Sequence, residues 1–201
     1  MKRNIVYCEQ GTPEWCTFRL GRVTASHFSD VLSTGSTRKT YMMKLLAERM
    51  TGEPLETFST KWMEEGNETE PQARDYYAEL NGVGVEQVGF IELGDDIGCS
   101  PDGLVGDDGM VQIKCPFPST HLGYILKGTL PSQYKAQVQG ELWVADRQWS
   151  DFISFDARVK SRPYWSVRVL RDETYIKELE AAVTKFADEL NTLTEKVQIP
   201  F

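Results

Sequence analysis

Two short stretches of this sequence, Ser100-Pro101-Asp102-Gly103 and Val111-Gln112-Ile113-Lys114, together hold a set of groups suited to breaking a phosphodiester. Pro101 bends the chain so that Asp102 stands at a corner, while Gln112 and Lys114, two apart on a strand, share one face. A carboxylate, an amide oxygen and an ammonium then converge. Phosphodiester cleavage needs such a group, because cations must neutralise charge developing on the phosphate oxygens and activate a water, and a nearby ammonium steadies the attacking oxygen. In that chemistry Asp102 and the amide oxygen of Gln112 bind a metal, the carbonyl of Ile113 is a further ligand for hard Mg²⁺, and Lys114 orients the nucleophile. The plain alternative is a Pro-Asp-Gly turn beside the solvent face of an ordinary strand.

The surrounding pattern supplies elements to hold these groups. Thr12-Pro13-Glu14 predicts a helix start with a cap, a proline in the first turn and an early acid, running to about Leu20 and stopping at Gly21. A second helix follows Thr24. Ser33 to Lys39 is small, polar and basic, which predicts a mobile loop, and a helix from about Thr40 to Met50 follows it. A longer helix is predicted from Lys61 to Leu80. From Val83 to Cys115 short apolar runs alternate with glycine-rich turns, Gly106-Asp107-Asp108-Gly109 being the clearest, and this is strand and hairpin patterning. Helices near Ser119 to Lys127 and Pro131 to Ala145, strands Trp149 to Phe155 and Tyr164 to Leu170, and a helix from Asp172 to about Val197 complete the chain. Helices flanking a central run of strands give an α/β fold.

Composition narrows the classes of function. The 201 residues suit one domain, 1–201, and the apolar (40%) and charged (26%) fractions are those of a globular protein. No apolar run is long enough to cross a bilayer or direct secretion, which points to the cytoplasm. The net charge of −8 argues against coating of nucleic acid without sequence preference but leaves room for a local DNA site. Cys8, Cys16, Cys99 and Cys115 lack the spacing of a zinc site or a disulfide framework, and His27 and His121 lack partners at ligand spacing.

Asp102 and Lys114, joined by a hairpin, resemble the PD-(D/E)XK nuclease motif. A wider set of fragments resembles the phage lambda exonuclease family: Glu9-Gln10-Gly11, Trp15, Arg19-Leu20-Gly21, Thr24-Ala25-Ser26, Cys99-Ser100-Pro101-Asp102-Gly103, Lys114-Cys115-Pro116-Phe117 and Tyr134-x-Ala136-Gln137-Val138-Gln139. The resemblance implies a restriction-endonuclease-like core with a central mixed β-sheet flanked by helices. It implies a 5′-to-3′ exonuclease on double-stranded DNA that requires Mg²⁺, with Mn²⁺ as a substitute, and that works as a homotrimer beside a single-strand annealing protein in recombination. By position it makes Asp102 the central metal ligand, Lys114 the catalytic lysine, Glu70 the helical glutamate that completes the metal site and Gln137 a group beside the scissile phosphate. Arg19, Ser26 and Ser100 fall where the family holds the terminal 5′-phosphate.

The family pattern carries a carboxylate where this chain has Gln112. An amide oxygen still coordinates Mg²⁺, but losing a unit charge at bonding distance from a divalent ion weakens the site. The scaffold leaves one rival open, a restriction-like or junction-cutting endonuclease, and Gln112 adds a second, a protein that binds DNA ends without cutting. Arg38 and Lys39, in the expected basic loop, are candidate phosphate contacts. The arginines between Ala157 and Arg171 read mainly as a strand with Trp165, Val167 and Val169 facing a core. The acidic C-terminal helix reads as a packing or subunit-contact element.

Overall fold

A computed structural model of the protein describes residues 1–55 and 61–198, with the side chains of 61–68 left aside. Its strands are β1 (Arg3–Val6), β2 (Val23–Thr24), β3 (Phe90–Leu93), β4 (Ile97–Cys99), β5 (Gly103–Val105), β6 (Gly109–Lys114), β7 (Trp149–Phe155) and β8 (Tyr164–Leu170). Its helices are α1 (Pro13–Arg19), α2 (Phe28–Leu32), α3 (Ser36–Thr51), α4 (Lys61–Asn81), α5 (Pro118–Lys127), α6 (Lys135–Ala145) and α7 (Glu173–Gln198). The fold is the α/β class read from the sequence. Among the described residues, no helix is long and apolar enough to cross a membrane.

The mixed sheet is divided into two four-stranded sheets, ordered β1-β3-β4-β2 and β5-β6-β7-β8. The break falls at Ser100-Pro101-Asp102, the link from β4 to β5, and it has a local cause. Gly103 pairs with Val111 at the end of the β5–β6 ladder, so continuing that register would set Pro101 opposite Ile113. Proline has no N–H to offer a ladder, and pairing stops there. One backbone donor on β6, Ile113 N–H, is thereby left for a side chain.

Strands β6 and β7 run parallel in the middle of their sheet, and nearly every residue of both is buried. Parallel pairing requires a crossover, which α5 and α6 provide. Alternation along β6 sorts its side chains: Val111 and Ile113 join Ala73 and Tyr77 of α4 in one apolar cluster, whereas Met110 belongs to the larger core with Val138 and Leu142 of α6. Gln112 and Lys114 share the parity of Met110 and so face α6. On α7, Ile176, Leu179, Val183, Phe186, Ala187 and Leu190 form the buried stripe of an amphipathic helix, which packs on α2, α3 and α6.

Helix α6 approaches α2 closely because position 140 has no side chain. A Cβ there would lie 2.3 Å from the ring of buried Phe28. Gly140→Ala is expected to destabilise the fold by about 1–3 kcal/mol, overpacking outweighing the ~1 kcal/mol gain in helix propensity. Urea denaturation at constant m-value measures this, and an unchanged midpoint would show that the helices part at no cost.

The segment Ser33 to Lys39 corrects the sequence reading. Its last four residues are the first turn of α3 rather than a loop, since small polar residues suit a helix start as well as a turn. Arg38 lies over the Phe186 ring at 4.9 Å and donates to Glu189 at 2.7 Å, so α7 holds it; Lys39 is exposed. Arg168 and Arg171 are likewise held, by Asp151 and by the Leu142 carbonyl. Strand β1 is absent from the sequence reading. As an edge strand headed by Arg3-Asn4, it has no apolar alternation to announce it.

Candidate active site

Asp102 occupies the corner left by the broken ladder. Its Oδ2 accepts from Ile113 N–H at 2.5 Å and from Gln112 Nε2 at 2.5 Å, so one carboxylate oxygen stands in for the missing strand partner. Gln10 holds the corner from outside, its amide donating to the carbonyls of Val88 and Pro101, both at 2.9 Å. Arg74, on α4, donates to the Asp102 carbonyl at 3.0 Å and forms a short ion pair with Glu70 one turn back. The bend is thus pinned by the two elements on either side of it.

Gln112 is 1% exposed and bridges two elements: its nitrogen faces Asp102 and its oxygen accepts from Gln137 Nε2 at 2.9 Å. The amide oxygen expected beside the metal therefore points to α6. Gln137 also donates to Glu141 Oε1, one turn on, at 2.8 Å. A hydrogen-bonded row results, Asp102–Gln112–Gln137–Glu141, leading from the corner into the protein. Glu141 is 1% exposed, and its Oε2 has no hydrogen-bond partner among the described residues.

Electrostatics tie three acids to one lysine. Burial raises Glu70 to about 7 and Glu141 to about 8, and the Asp102 charge pushes both the same way. Burial also raises Asp102, against the pull of Lys114, the Ile113 N–H, Arg74 and Gln112. The Lys114 ammonium favours ionisation of all three carboxylates and lies 5.4 Å from the centre of the Tyr134 ring. Asp102, Lys114 and Glu70, chosen from sequence, are brought together. Arg74 and Glu141 were missed; the signal for each was helical spacing, four residues after Glu70 and four after Gln137.

These shifts set how the metal-free fold responds to pH. Folded, Glu70 and Glu141 keep their protons to about 7 and about 8; unfolded, both lose them near 4.5, the ordinary value for a glutamate. Between those limits the folded chain binds more protons than the unfolded chain, so stability falls as pH rises. Denaturant titrations in EDTA at pH 5.5, 7 and 8.5 are expected to give descending midpoints. Rising midpoints would mean that the two acids are ionised in the fold.

A second cluster adjoins the first through Ser100, two residues before Asp102. The Ser100 hydroxyl accepts from Arg19 at 3.1 Å and from the Trp15 indole at 3.0 Å, and Arg19 also reaches the Ser26 hydroxyl at 3.4 Å. The guanidinium lies over the Trp15 ring, 4.4 Å from its centre, a cation on an aromatic face. Arg19 is partly buried because α1 ends there and the chain turns at Gly21, whose φ of +64° suits a residue without Cβ. The three residues predicted to share one anion are in contact. Between the two clusters opens a cleft of about 320 Å³ lined by Gln10, Trp15, Glu70, Arg74 and Asp102.

The donors in this cleft are hard oxygens, which suit Mg²⁺ or Mn²⁺ rather than zinc. No group of three His, Cys, Asp or Glu residues poised to hold an ion alone occurs among the described residues. A small cation that keeps several waters and uses one or two carboxylates fits that set. The histidines take no part: His121 is buried with both ring nitrogens bonded, to Ser154 and to the Arg162 carbonyl, and His27 pairs with Asp30. The four cysteines are free thiols.

Known proteins bear on this arrangement. Residues 14–148 match the YqaJ-like viral recombinase domain. The fold is similar to that of the alkaline exonuclease LHK-Exo from Laribacter hongkongensis, at 38% identity and a TM-score of 0.88 over 93% of this chain and 96% of that one. It is equally similar to LHK-Exo in complex with dAMP, at 39% identity, a TM-score of 0.88 and the same coverage. A phage-related exonuclease from Haemophilus somnus 129PT shares the fold at 17% identity, with a TM-score of 0.67 over 88% of this chain and 96% of that one. No curated protein sequence matches the chain. The chain belongs to the YqaJ-like viral recombinase family, the lambda-exonuclease-like nucleases with a restriction-endonuclease-like fold.

Proposed function

We propose that this nuclease is a Mg²⁺-dependent exonuclease that degrades double-stranded DNA from its 5′ ends to mononucleotides. The observation that carries the reading is the junction at Ser100. The hydroxyl of Ser100 belongs to the Arg19–Ser26 cluster, and Asp102, two residues on, belongs to the acidic corner. A terminal phosphate held by the first cluster would place the next phosphodiester at the second, and a nuclease that requires a terminus needs such a pair of sites. LHK-Exo binds dAMP, a deoxynucleoside monophosphate of the kind such a reaction releases.

In this reading Arg19 grips the 5′-phosphate through its planar fork of N–H donors, aided by the hydroxyls of Ser26 and Ser100. Asp102, Glu70 and the Ile113 carbonyl hold the metal. When bound, the ion supplies positive charge at the scissile phosphate and lowers the pKa of the attacking water. Lys114 orients that water, and its ammonium offsets negative charge as the phosphate becomes five-coordinate. Gln112 and Gln137 brace Asp102 against α6. Lys39, exposed on the first turn of α3, remains free to meet backbone phosphate, whereas Arg38 would have to leave Glu189. Action as a homotrimer beside a single-strand annealing protein completes the reading.

Duplexes labelled on one strand, with and without a 5′-phosphate, test it directly. Release of labelled mononucleotides from the phosphorylated 5′ end in Mg²⁺ is expected, with covalently closed circles left intact. Cutting of closed circles would replace this reading with an endonuclease. Arg19→Ala is expected to lower the rate on 5′-phosphorylated ends about 10- to 100-fold, the worth of one or two hydrogen bonds to a charged group, and to erase the preference for phosphorylated over hydroxyl ends. An undiminished preference would remove Arg19 from the end pocket.

A further inference from the structure

We infer that Glu141, on α6, supplies a carboxylate to the metal centre from the helix layer, the charge that position 112 on β6 does not provide. The inference rests on the metal-dependent reading above. Its starting point is an imbalance within the site. The strand face presents one acid, Asp102, and Gln112 spends its nitrogen on that acid and its oxygen on Gln137. Glu70 is held by Arg74. Glu141 alone among these acids has a buried oxygen, Oε2, with no partner, on a side chain that is 1% exposed.

A buried carboxylate oxygen left bare costs on the order of several kcal/mol unless a proton or a cation meets it. In the metal-bound protein a cation would meet it. The side chain is tied to the strand layer by Gln137, whose one amide nitrogen links Glu141 Oε1 to Gln112. Through Gln137 and Gln112 it is joined by hydrogen bonds to Asp102, the acid of the corner. Among the described residues, Gln137 is the one group that bonds the Glu141 side chain, and it does so at Oε1. A divalent ion held by Asp102 and Glu141 would satisfy Oε2 and offset the charge of both carboxylates. In this arrangement the acid comes from the helix rather than from the strand beside Lys114, and Gln112 acts as a positioning residue that spaces Asp102 from Gln137.

Calorimetric titration of the DNA-free protein with Mn²⁺ tests the assignment apart from activity. Glu141→Gln keeps the shape and an acceptor for Gln137, so folding in EDTA is expected to be preserved or improved, as read by thermal midpoint. Its Mn²⁺ affinity is expected to fall about 10- to 100-fold, with cleavage falling in step. Gln112→Glu added to Glu141→Gln moves the charge to the strand and is expected to restore affinity to within about threefold of the original. Unchanged Mn²⁺ affinity in Glu141→Gln would overturn the assignment while leaving a metal-dependent nuclease in place. Failure of the double variant to recover, with its EDTA midpoint intact, would equally overturn it by showing that the charge is not what position 141 contributes. A wild-type protein that neither binds Mn²⁺ nor cuts DNA would instead sink the reading beneath it.

Discussion

Asp102→Asn is expected to reduce mononucleotide release from linear duplex about 10³-fold or more, while the protein stays folded. The side chain meets Ile113 N–H and Gln112 at one oxygen and is the acid closest to the break between the sheets. Asparagine retains an acceptor for the Ile113 N–H but removes the negative charge, so the backbone corner persists and the cation loses its central ligand. Burial raises the Asp102 carboxyl even with Lys114 and Arg74 nearby, which means that the charge is a cost to the metal-free fold. Removing it should leave the EDTA melting midpoint equal or higher. Single-turnover assays and Mn²⁺ calorimetry on the same preparation read both sides of this expectation. Cleavage within about tenfold of the original would show that metal binding does not centre on this residue.

Lys114→Met is expected to separate chemistry from metal binding. Its ammonium lies among Glu70, Asp102 and Glu141 and favours the charged form of each, yet a cation cannot itself be a ligand. Cleavage should fall about 10²- to 10⁴-fold, the range for losing a group that positions or exchanges a proton in the transition state. At pH 9, above the values of about 7 and about 8 for Glu70 and Glu141, Mn²⁺ affinity should hold or increase because a competing positive charge is gone. Methionine keeps the apolar stem that rests near Tyr134, so the loss is of charge and not of packing. A parallel collapse of metal affinity and cleavage at that pH would make Lys114 a structural support of the acids rather than a partner of the water.

Much of the site was legible in the sequence because it is local. The turn Gly106-Asp107-Asp108-Gly109 returns the chain so quickly that Asp102 and Lys114 meet within thirteen residues, and alternation on a strand decides which neighbours of Lys114 share its face. Strands β7 and β8 and the end of α4 could be read for the same reason, since each is bounded by its own turn residues and carries its own periodicity. The contact of Arg19, Ser26 and Ser100 was foreseen only through resemblance. Nothing in the spacing of those residues brings the end of α1 to the end of β4; the parallel pairing of β2 with β4 does so.

Tertiary structure decided what depends on elements distant in the chain. Gln112 is placed by α6, which arrives through a crossover, and its oxygen meets Gln137 because β6 and α6 face each other across the core. Arg38 reads as a loop cation until α7 brings Glu189 and Phe186 beneath it. Glu141 has the composition of a solvated helix residue, and only the packing of α6 against the sheet buries it with one oxygen bare. Sequence determined the candidate groups and the hairpin that joins Asp102 to Lys114, because turn chemistry and side-chain alternation act over a few residues. Which acid of the helix layer is buried behind them was fixed by the topology of the sheet, because burial is set by neighbours that no local pattern contains.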